Sequence, residues 1–211
     1  MNALLAGATG LVGQELVQLA ADAGYPLTTV GRRDVEGVAA TIRTDFSSAL
    51  ALPPARVALC ALGTTMAAAG SRADFYAVDH DAVLYFARSA HAVGIQHFVA
   101  ITAVGAHVRS PVFYSKVKGE IERDLAALGF ARLDIVRPGL LLGRRRERRP
   151  GEALLQRLDP MLRRLTIGPL DRYSGISAVT VASAMLALCN QSSEGTHIHH
   201  NADLRRLAHT C

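Results

Sequence analysis

The residues best suited to chemistry are Tyr114 and Lys118, which stand four positions apart. In a helix, side chains at this spacing share one face and lie about one turn from each other. A free phenol has a pKa of ~10, and a nearby ammonium group favours the phenolate and lowers that pKa. The pair therefore predicts that Tyr114 gives a proton to a carbonyl oxygen or, in reverse, takes one from an alcohol.

The spacing alone is weak evidence, because a chain of this length can contain Tyr-x-x-x-Lys by chance. A hydroxyl nearby would strengthen it. Thr102 ends a mostly apolar stretch that is typical of a buried strand, over 97–102. From that position we expect Thr102 to hydrogen-bond the same substrate oxygen as Tyr114.

A glycine loop at the start of the chain is the element that would position a partner for this chemistry. The segment Met1–Gly13, MNALLAGATGLVG, runs from a short apolar strand through Gly7, Gly10 and Gly13 into a helical pattern. Backbone N–H groups at such a helix N-terminus bind a pyrophosphate, and glycines let the main chain come close. Glycine turns also join strands to helices where nothing binds, so the glycine loop alone does not identify a cofactor site. The residues at the end of the next strand help to distinguish the two cases.

That next strand, predicted over 26–30, ends in Gly31-Arg32-Arg33-Asp34. Cofactor loops that hold the ribose of NAD place an Asp or Glu at this strand end. Here Gly31 occupies the position, and a guanidinium beside it could pair with a 2′-phosphate. The pattern favours NADP(H) over NAD(H). Two solvated arginines in a loop remain the alternative, and Asp34 keeps NAD open.

The remaining pattern predicts an α/β fold, a doubly wound parallel sheet. Strands are predicted over 39–44, 56–62, 97–102 and 133–139, separated by helices over 71–93 and 112–128. Cys60 lies within the apolar run and is expected to be a core residue. The sheet-facing side of the first of these helices is predicted to carry Phe75, Val78, Ala82, Tyr85, Phe86, Ser89 and Val93.

Length and composition favour one domain over 1–211, in which about 140–211 forms a small cap on the substrate side. The chain has 211 residues, 50% of them apolar. We expect no signal peptide, no membrane span and, from three scattered cysteines, reduced thiols in the cytoplasm. The oligomeric state cannot be read from the sequence.

Two polar clusters, the arginines of 144–149 and the histidines of 197–200, do not by themselves indicate a ligand or metal site. The net charge of +5 owes much to five arginines within 144–149, which we interpret as a solvated loop, with an acidic ligand as the alternative. No aromatic residues interleave with them, which disfavours nucleic acid. His197, His199 and His200 have no carboxylate or cysteine at convincing ligand spacing, so no metal site is predicted.

These motifs, in this order, resemble the atypical branch of the short-chain dehydrogenase/reductase superfamily, and more closely the Tat-interacting oxidoreductase family. The resemblance covers roughly 1–190. Its segments include Cys60-Ala61-Leu62-Gly63-Thr64-Thr65, Val78-Asp79, Lys118-Gly119-Glu120 and Arg137-Pro138-Gly139. One departure is Thr102-Ala103, where the family usually has a Ser-Ser pair.

The resemblance implies an NAD(P)-binding Rossmann fold with Tyr114, Lys118 and Thr102 in the catalytic positions, and it places Asp45 near the adenine. The full predicted cofactor-binding set is Gly7, Thr9, Gly10, Leu11, Val12, Gly13, Arg32, Arg33, Asp45, Leu62, Gly63, Thr64, Lys118 and Pro138.

The expected function is NADPH-dependent hydride transfer to or from a small-molecule carbonyl or alcohol. The main alternative is a regulatory protein that binds NADPH and a protein partner without turnover. Epimerase chemistry on a nucleotide sugar also uses Tyr and Lys, but it normally needs a larger substrate domain than the roughly 70 residues after Arg137 would form.

Overall fold

Seven parallel strands form the central sheet of the protein. The computed structural model describes residues 2–47, 50–143 and 168–209. Within them the strands are β1 Ala3–Ala6, β2 Leu27–Gly31, β3 Ala40–Arg43, β4 Val57–Cys60, β5 His97–Ile101, β6 Arg132–Val136, β7 Leu140–Leu142, β8 Gly175–Ser177 and β9 Gly195–His199.

The order of the strands in the sheet is β3-β2-β1-β4-β5-β6-β9, and every neighbouring pair is parallel. The chain moves outward in one direction from β1 to β3 and then in the other from β4 onward. The point of reversal lies between β1 and β4, where Leu5 pairs with Thr29 on one side and Leu59 on the other. In such sheets, ligands bind beyond the carboxyl ends of the strands at this switch point.

Helices connect the strands and cover both faces. They are α1 Leu11–Asp22, α2 Met66–Ala69, α3 Arg72–Tyr76, a π-helical segment Ala77–Ala82, α4 Val83–Ala92, α5 Phe113–Ala126, a 3₁₀ helix Gly168–Tyr173, α6 Ala178–Leu188 and α7 Asn201–Ala208. Within the described part of the chain, none of them is long and apolar enough to cross a membrane.

The core consists of two layers, one on each face of the sheet. Alternate strand residues point to opposite faces, so Leu5 packs with α1 and α6 while Leu4 packs with α4 and α5. In the first layer Leu16 of α1 and Met185 of α6 are fully buried together. Cys60 is buried as predicted, and its burial raises the pKa of the thiol to about 12. These all-apolar strands are typical of a parallel sheet covered on both sides.

The π-helical segment changes which residues of the predicted helix 71–93 face the sheet. Phe75 and Phe86 are buried as predicted, but Val93 is exposed, and Asp79 and His80 are buried instead. Hydrogen bonds from i to i+5 place an extra residue in the turn, so everything after it is rotated relative to a regular helix. The other predicted residues, Val78, Ala82, Tyr85 and Ser89, are only partly buried, so the buried face is displaced from the predicted one.

Of the predicted cap over about 140–211, the structure describes residues 140–143 and 168–209. Strand β9 joins the main sheet beside β6, and α6 packs against α1. Of the described residues in this range, β7 and β8 form a separate two-stranded parallel sheet. Helix α6 is buried on most of its surface and belongs to the core, a property that periodicity does not show.

Asn201 attaches this small sheet to the exit of β6. Its side-chain oxygen accepts from the Gly139 N–H at 2.9 Å, and its amide nitrogen donates to the carbonyl oxygens of Asp171 and Ser174 at 3.0 and 2.9 Å. A Cβ on Gly139 would lie 2.3 Å from the Ser174 oxygen, so only glycine fits there. The side chain of Asn201 is fully buried, which makes these bonds important to the local fold.

A buried carboxylate, Asp134 of β6, joins three strands. It accepts from Arg132 Nε at 2.6 Å, and it lies 2.7 Å from Nε2 of His97 on β5 and of His199 on β9. Hydrogen bonds from these partners hold the pKa of Asp134 far below its usual range, against the opposing effect of burial. Asp134 is therefore ionised within the core, where hydrogen bonds to both of its carboxylate oxygens offset the cost of burying the charge.

Candidate active site

The glycine loop between β1 and α1 forms a tight cradle. Gly7 has a φ of 89°, in the left-handed region, and its carbonyl accepts from the Gly10 N–H at 3.0 Å. A Cβ on Gly7 would lie 2.4 Å from the carbonyl carbon of Ala61, and one on Gly13 would lie 2.1 Å from the Gly7 oxygen. Gly10 caps α1 without a side chain, so the first N–H groups of the helix stay available to an anion.

A cavity of about 590 Å³ extends from this loop to α5. Its volume is within the range of sites that bind small molecules and cofactors. The cradle, the cavity and the free N–H groups together fit a dinucleotide. The cavity brings together these predicted site residues: Thr9, Gly10, Leu11, Val12, Arg33, Leu62, Gly63, Thr64, Thr102, Tyr114 and Lys118.

A smaller cavity of about 130 Å³ lies at the end of β2. Gly7, Arg32 and Phe46 line it, and it shares Thr9, Arg33 and Leu62 with the larger one. The two cavities therefore meet at the glycine loop. This arrangement suits a ligand whose central phosphates lie on the loop and whose two halves extend to either side.

Asp34 is the acidic residue that could have bound the ribose of NAD, but its carboxylate is bound to another side chain. Arg43 Nε donates to Asp34 Oδ1 at 2.9 Å, and Arg43 Nη2 contacts Oδ2. The hydrogen bonds from Arg43 lower the pKa of Asp34. Asp34 lines neither cavity, whereas Arg32 and Arg33 before it do.

Three predicted cofactor residues lie outside both cavities. Asp45 is exposed, and its carboxylate accepts from the backbone and hydroxyl of Ser47 at 2.9 and 2.6 Å; its neighbour Phe46 lines the smaller cavity instead. Pro138 is buried, and its carbonyl accepts from the Val104 N–H at 3.1 Å. Gly13 acts indirectly, because its missing side chain leaves room for the loop.

Tyr114 lies in the first turn of α5 and is 37% exposed. Its ring packs against Phe75 with the centroids 5.6 Å apart. Burial raises the pKa of the phenol, Lys118 lowers it and Asp79 raises it, and the net direction is upward. Lys118 acts on this pKa in the expected direction, but burial, together with the nearby carboxylate, outweighs the ammonium group.

Lys118 is buried and paired with Asp79 of the π-helical segment. Its Nζ lies 2.7 Å from Asp79 Oδ1, and Asp79 Oδ2 accepts from the Thr64 N–H at 2.7 Å. An ammonium group has three donors, so Lys118 keeps donors for a ribose hydroxyl in the cavity. Asp79 thus connects α5 to the exit of β4.

Thr102 lies at the cavity wall, but its hydroxyl is already engaged. It donates to Glu122 Oε1 at 2.5 Å, and Glu122 is paired with Arg137, whose Nε donates to the same oxygen at 2.9 Å. A hydroxyl has one proton to donate. In this arrangement Thr102 can accept from a ligand but cannot also donate to a carbonyl oxygen, which corrects the role expected from the sequence.

Sequence reasoning missed Asp79 and Glu122 as members of the site. A signal existed for Glu122, which follows Tyr114 and Lys118 at a further step of four on the same helix face. The same kind of signal existed for Asp79, which stands four positions after the buried Phe75. Both are carboxylates that hold a predicted catalytic side chain.

The histidines at 197, 199 and 200 do not line this cavity. His199 is engaged with Asp134, and His197 Nε2 lies 3.2 Å from the Glu194 carbonyl. Within residues 2–47, 50–143 and 168–209, no group of three or more His, Cys, Asp or Glu side chains could hold a metal ion. The arginine cluster at 144–149 lies outside the described residues.

The strand order and the glycine cradle at the switch point define a Rossmann-type nucleotide-binding protein. A family profile described as NAD dependent epimerase/dehydratase family matches residues 3–119, which include the cradle and the Tyr–Lys pair. The chain belongs to this family of NAD-dependent enzymes.

Curated relatives support the assignment at higher identity. The protein fmp52, mitochondrial, of Emericella nidulans is 38% identical over 168 residues, which are 72% of each chain. The protein of the same name from Aspergillus fumigatus is 33% identical over 201 residues, covering 88% of this chain and 86% of the relative. The narrower resemblance to the Tat-interacting oxidoreductase family stays a prediction.

These names contradict the predicted cytoplasmic location, because the relatives are described as mitochondrial. The prediction rested on scattered cysteines. Buried thiols such as Cys60 and Cys189 are compatible with any reducing compartment, so they do not identify the cytoplasm.

Solved structures confirm the predicted fold class. A putative NAD-dependent epimerase/dehydratase from Bacillus halodurans matches with a TM-score of 0.71 and 17% identity, covering all of both chains. Human epimerase family protein SDR39U1 with NADPH gives a TM-score of 0.66 and 18% identity, over 95% of this chain and 74% of that one. At these identities the likeness concerns the fold alone.

Proposed function

We propose that this protein is an NADPH-dependent oxidoreductase that reduces a carbonyl group of a small molecule, with Tyr114 as the proton donor. One observation carries the proposal: Tyr114 and Lys118 line the same 590 Å³ cavity as the glycine loop. A cofactor seated on that loop would bring its reactive end to these two side chains. The adjoining smaller cavity, lined by two arginines, favours a phosphorylated ribose at the other end.

Each part of the cofactor would meet a different group of residues. The N–H groups at the start of α1 would hold the pyrophosphate, and Arg32 and Arg33 the 2′-phosphate. Lys118 would donate to the nicotinamide ribose while Asp79 holds its ammonium group in place. When bound, the reduced nicotinamide supplies a hydride.

The protein would supply the proton and the orientation. Tyr114 would donate its phenolic hydrogen to the carbonyl oxygen as negative charge develops there. The Thr102 hydroxyl already donates its hydrogen bond to Glu122, so it would accept a hydrogen bond from a donor group of the substrate. This favours carbonyl compounds that carry a hydroxyl or N–H group near the reacting carbon.

Arg32 provides the test of cofactor preference. We expect Arg32→Ala to weaken NADPH binding about 10- to 100-fold, because a charge-assisted hydrogen bond to phosphate is lost, and to leave NADH binding nearly unchanged. Dissociation constants for both nucleotides, measured by fluorescence titration, check this. Arg88→Ala, which removes an exposed arginine that lines neither cavity, is the control.

If Arg32→Ala weakens the binding of NADPH and NADH equally, Arg32 contacts a part of the cofactor that both nucleotides share. A preference of the wild-type protein for NADH would contradict the cofactor assignment. Turnover is tested separately with a panel of aldehydes, ketones and quinones. Net consumption of NADPH supports the oxidoreductase. NADPH that binds but is never oxidised would support the cofactor-sensing alternative instead.

A further inference from the structure

The buried partner of Lys118 changes what this lysine can do to Tyr114. Lys118 and Asp79 are both buried, with side chains 5% and 1% exposed, and their charged atoms are 2.7 Å apart. An ammonium group acts on a neighbouring phenol through its positive charge. A carboxylate in direct contact cancels most of that charge at a distance, so the pair acts on Tyr114 as a weak dipole instead of a cation.

Asp79 cannot easily leave this position. Its second oxygen accepts from the Thr64 N–H at 2.7 Å, and the π-helical segment turns the residue inward. Moving the carboxylate would leave a buried ammonium group and a backbone N–H without partners, which is costly. The neutralisation of Lys118 is therefore built into the fold.

Two charged groups affect the ionisation of Tyr114 from the elements packed around it. Lys118, on the same helix, favours the phenolate; Asp79, from the π-helical segment, opposes it. Phe75 covers one side of the ring and is uncharged. Thr102, from β5, lines the same cavity as an uncharged hydroxyl. Burial and Asp79 together outweigh Lys118 and raise the pKa of the phenol.

We propose that Asp79 is a positioning residue that acts through Lys118: it offsets the ammonium charge in the cavity that Tyr114 lines, and so favours the protonated phenol, the form that can donate to a carbonyl oxygen. This rests on the proposed function. In the reductive step the carbonyl carbon would accept a hydride, with its electron pair, that a bound reduced nicotinamide would supply. The π pair moves to the oxygen, which takes the proton of Tyr114, and the phenolate regains a proton from solvent.

The test measures the ionisation of Tyr114 directly, without cofactor or substrate. The full chain is labelled with ¹³Cζ-tyrosine, and the Tyr114 signal is identified by its loss in Tyr114→Phe. We expect Asp79→Asn to lower the midpoint of the Tyr114 titration by about one pH unit or more, because the Lys118 charge is no longer cancelled. Asp81→Asn, the same change two positions away on an exposed carboxylate, is the matched control and should leave the midpoint in place.

A second comparison covers the case in which Asp79→Asn does not fold. In Lys118→Met the midpoint should rise, and adding Asp79→Asn to that variant should lower it again while removing both buried charges. A purely structural role would not produce shifts of opposite sign.

An unchanged midpoint in both comparisons, or an equal shift in Asp81→Asn, would overturn the inference. It would do so without affecting the proposed function, which is tested by NADPH binding and turnover. If the titration shifts occur as expected but the protein never consumes NADPH, the role of Asp79 is supported and the oxidoreductase function is rejected.

Discussion

Replacement of Tyr114 by phenylalanine is expected to slow NADPH-dependent carbonyl reduction by about 10²- to 10⁴-fold, the usual contribution of a positioned general acid. The ring stays in place against Phe75, so the cavity keeps its shape and only the hydroxyl is lost. NADPH affinity should remain within about twofold, because the loop and Lys118 are untouched. The measurement is the loss of NADPH absorbance with the best substrate of the panel, together with a binding titration.

Tyr76→Phe is the matched control for this variant. Tyr76 lies in α3 and its ring stacks on His80 with centroids 4.5 Å apart, outside the cavity that Tyr114 lines. Loss of its hydroxyl should leave the rate unchanged. If Tyr114→Phe reduces every substrate as fast as the parent, Tyr114 is not the proton donor.

The second large effect concerns stability. Asp134→Ala is expected to lower the free energy of unfolding by about 3–5 kcal/mol, because it leaves the guanidinium of Arg132 buried without its counter-charge. His97 and His199 lose the same acceptor, so three strands are affected together. Urea unfolding at pH 7, in the absence of cofactor, measures the loss.

The same carboxylate predicts a pH dependence. Its pKa in the folded protein lies below its ordinary value of ~3.9, so its stabilising effect is complete above that value. The effect is lost as the pH falls below ~3.9 toward the folded pKa. The difference in stability between wild type and Asp134→Ala should therefore be constant from pH 7 to about pH 5 and narrow at lower pH.

Asp34→Ala is the control for both measurements. It also removes a carboxylate that is bound to an arginine, but this pair is on the surface, where solvent screens it. We expect little change in stability from it. A loss in Asp134→Ala no larger than in Asp34→Ala would show that the Asp134 cluster is not the tie between β5, β6 and β9.

The sequence predicted the sheet well because its strands carry local signals. Buried parallel strands are short apolar runs, and the glycine turn and Gly31 mark their ends. Strand β9 was missed because His197 and His199 interrupt its apolar character, and their partner Asp134 is far away in the chain. Only the fold shows that one of these polar residues completes a buried network.

The candidate site was predicted less completely than the fold. Tyr114, Lys118 and the loop residues have fixed spacings, and the structure does bring them to one cavity. The ionisation of Tyr114 responds to burial, to Lys118 and to Asp79, and spacing does not show how these effects balance. Likewise, the hydroxyl of Thr102, which directly follows β5, donates a hydrogen bond to Glu122 of α5. Such effects follow from packing, which spacing does not encode.

The packing of α1 against α6 has a consequence for how the protein is made. The cradle is synthesised before α6, yet Leu16 of its helix and Met185 of α6, about 170 positions apart in the chain, are buried in the same core layer. Until α6 leaves the ribosome, the apolar face of α1 lacks one of its partners and β6 lacks its neighbour β9. The core layer beneath the cradle is therefore completed late in translation, and the nascent chain must keep this surface from aggregating in the interval.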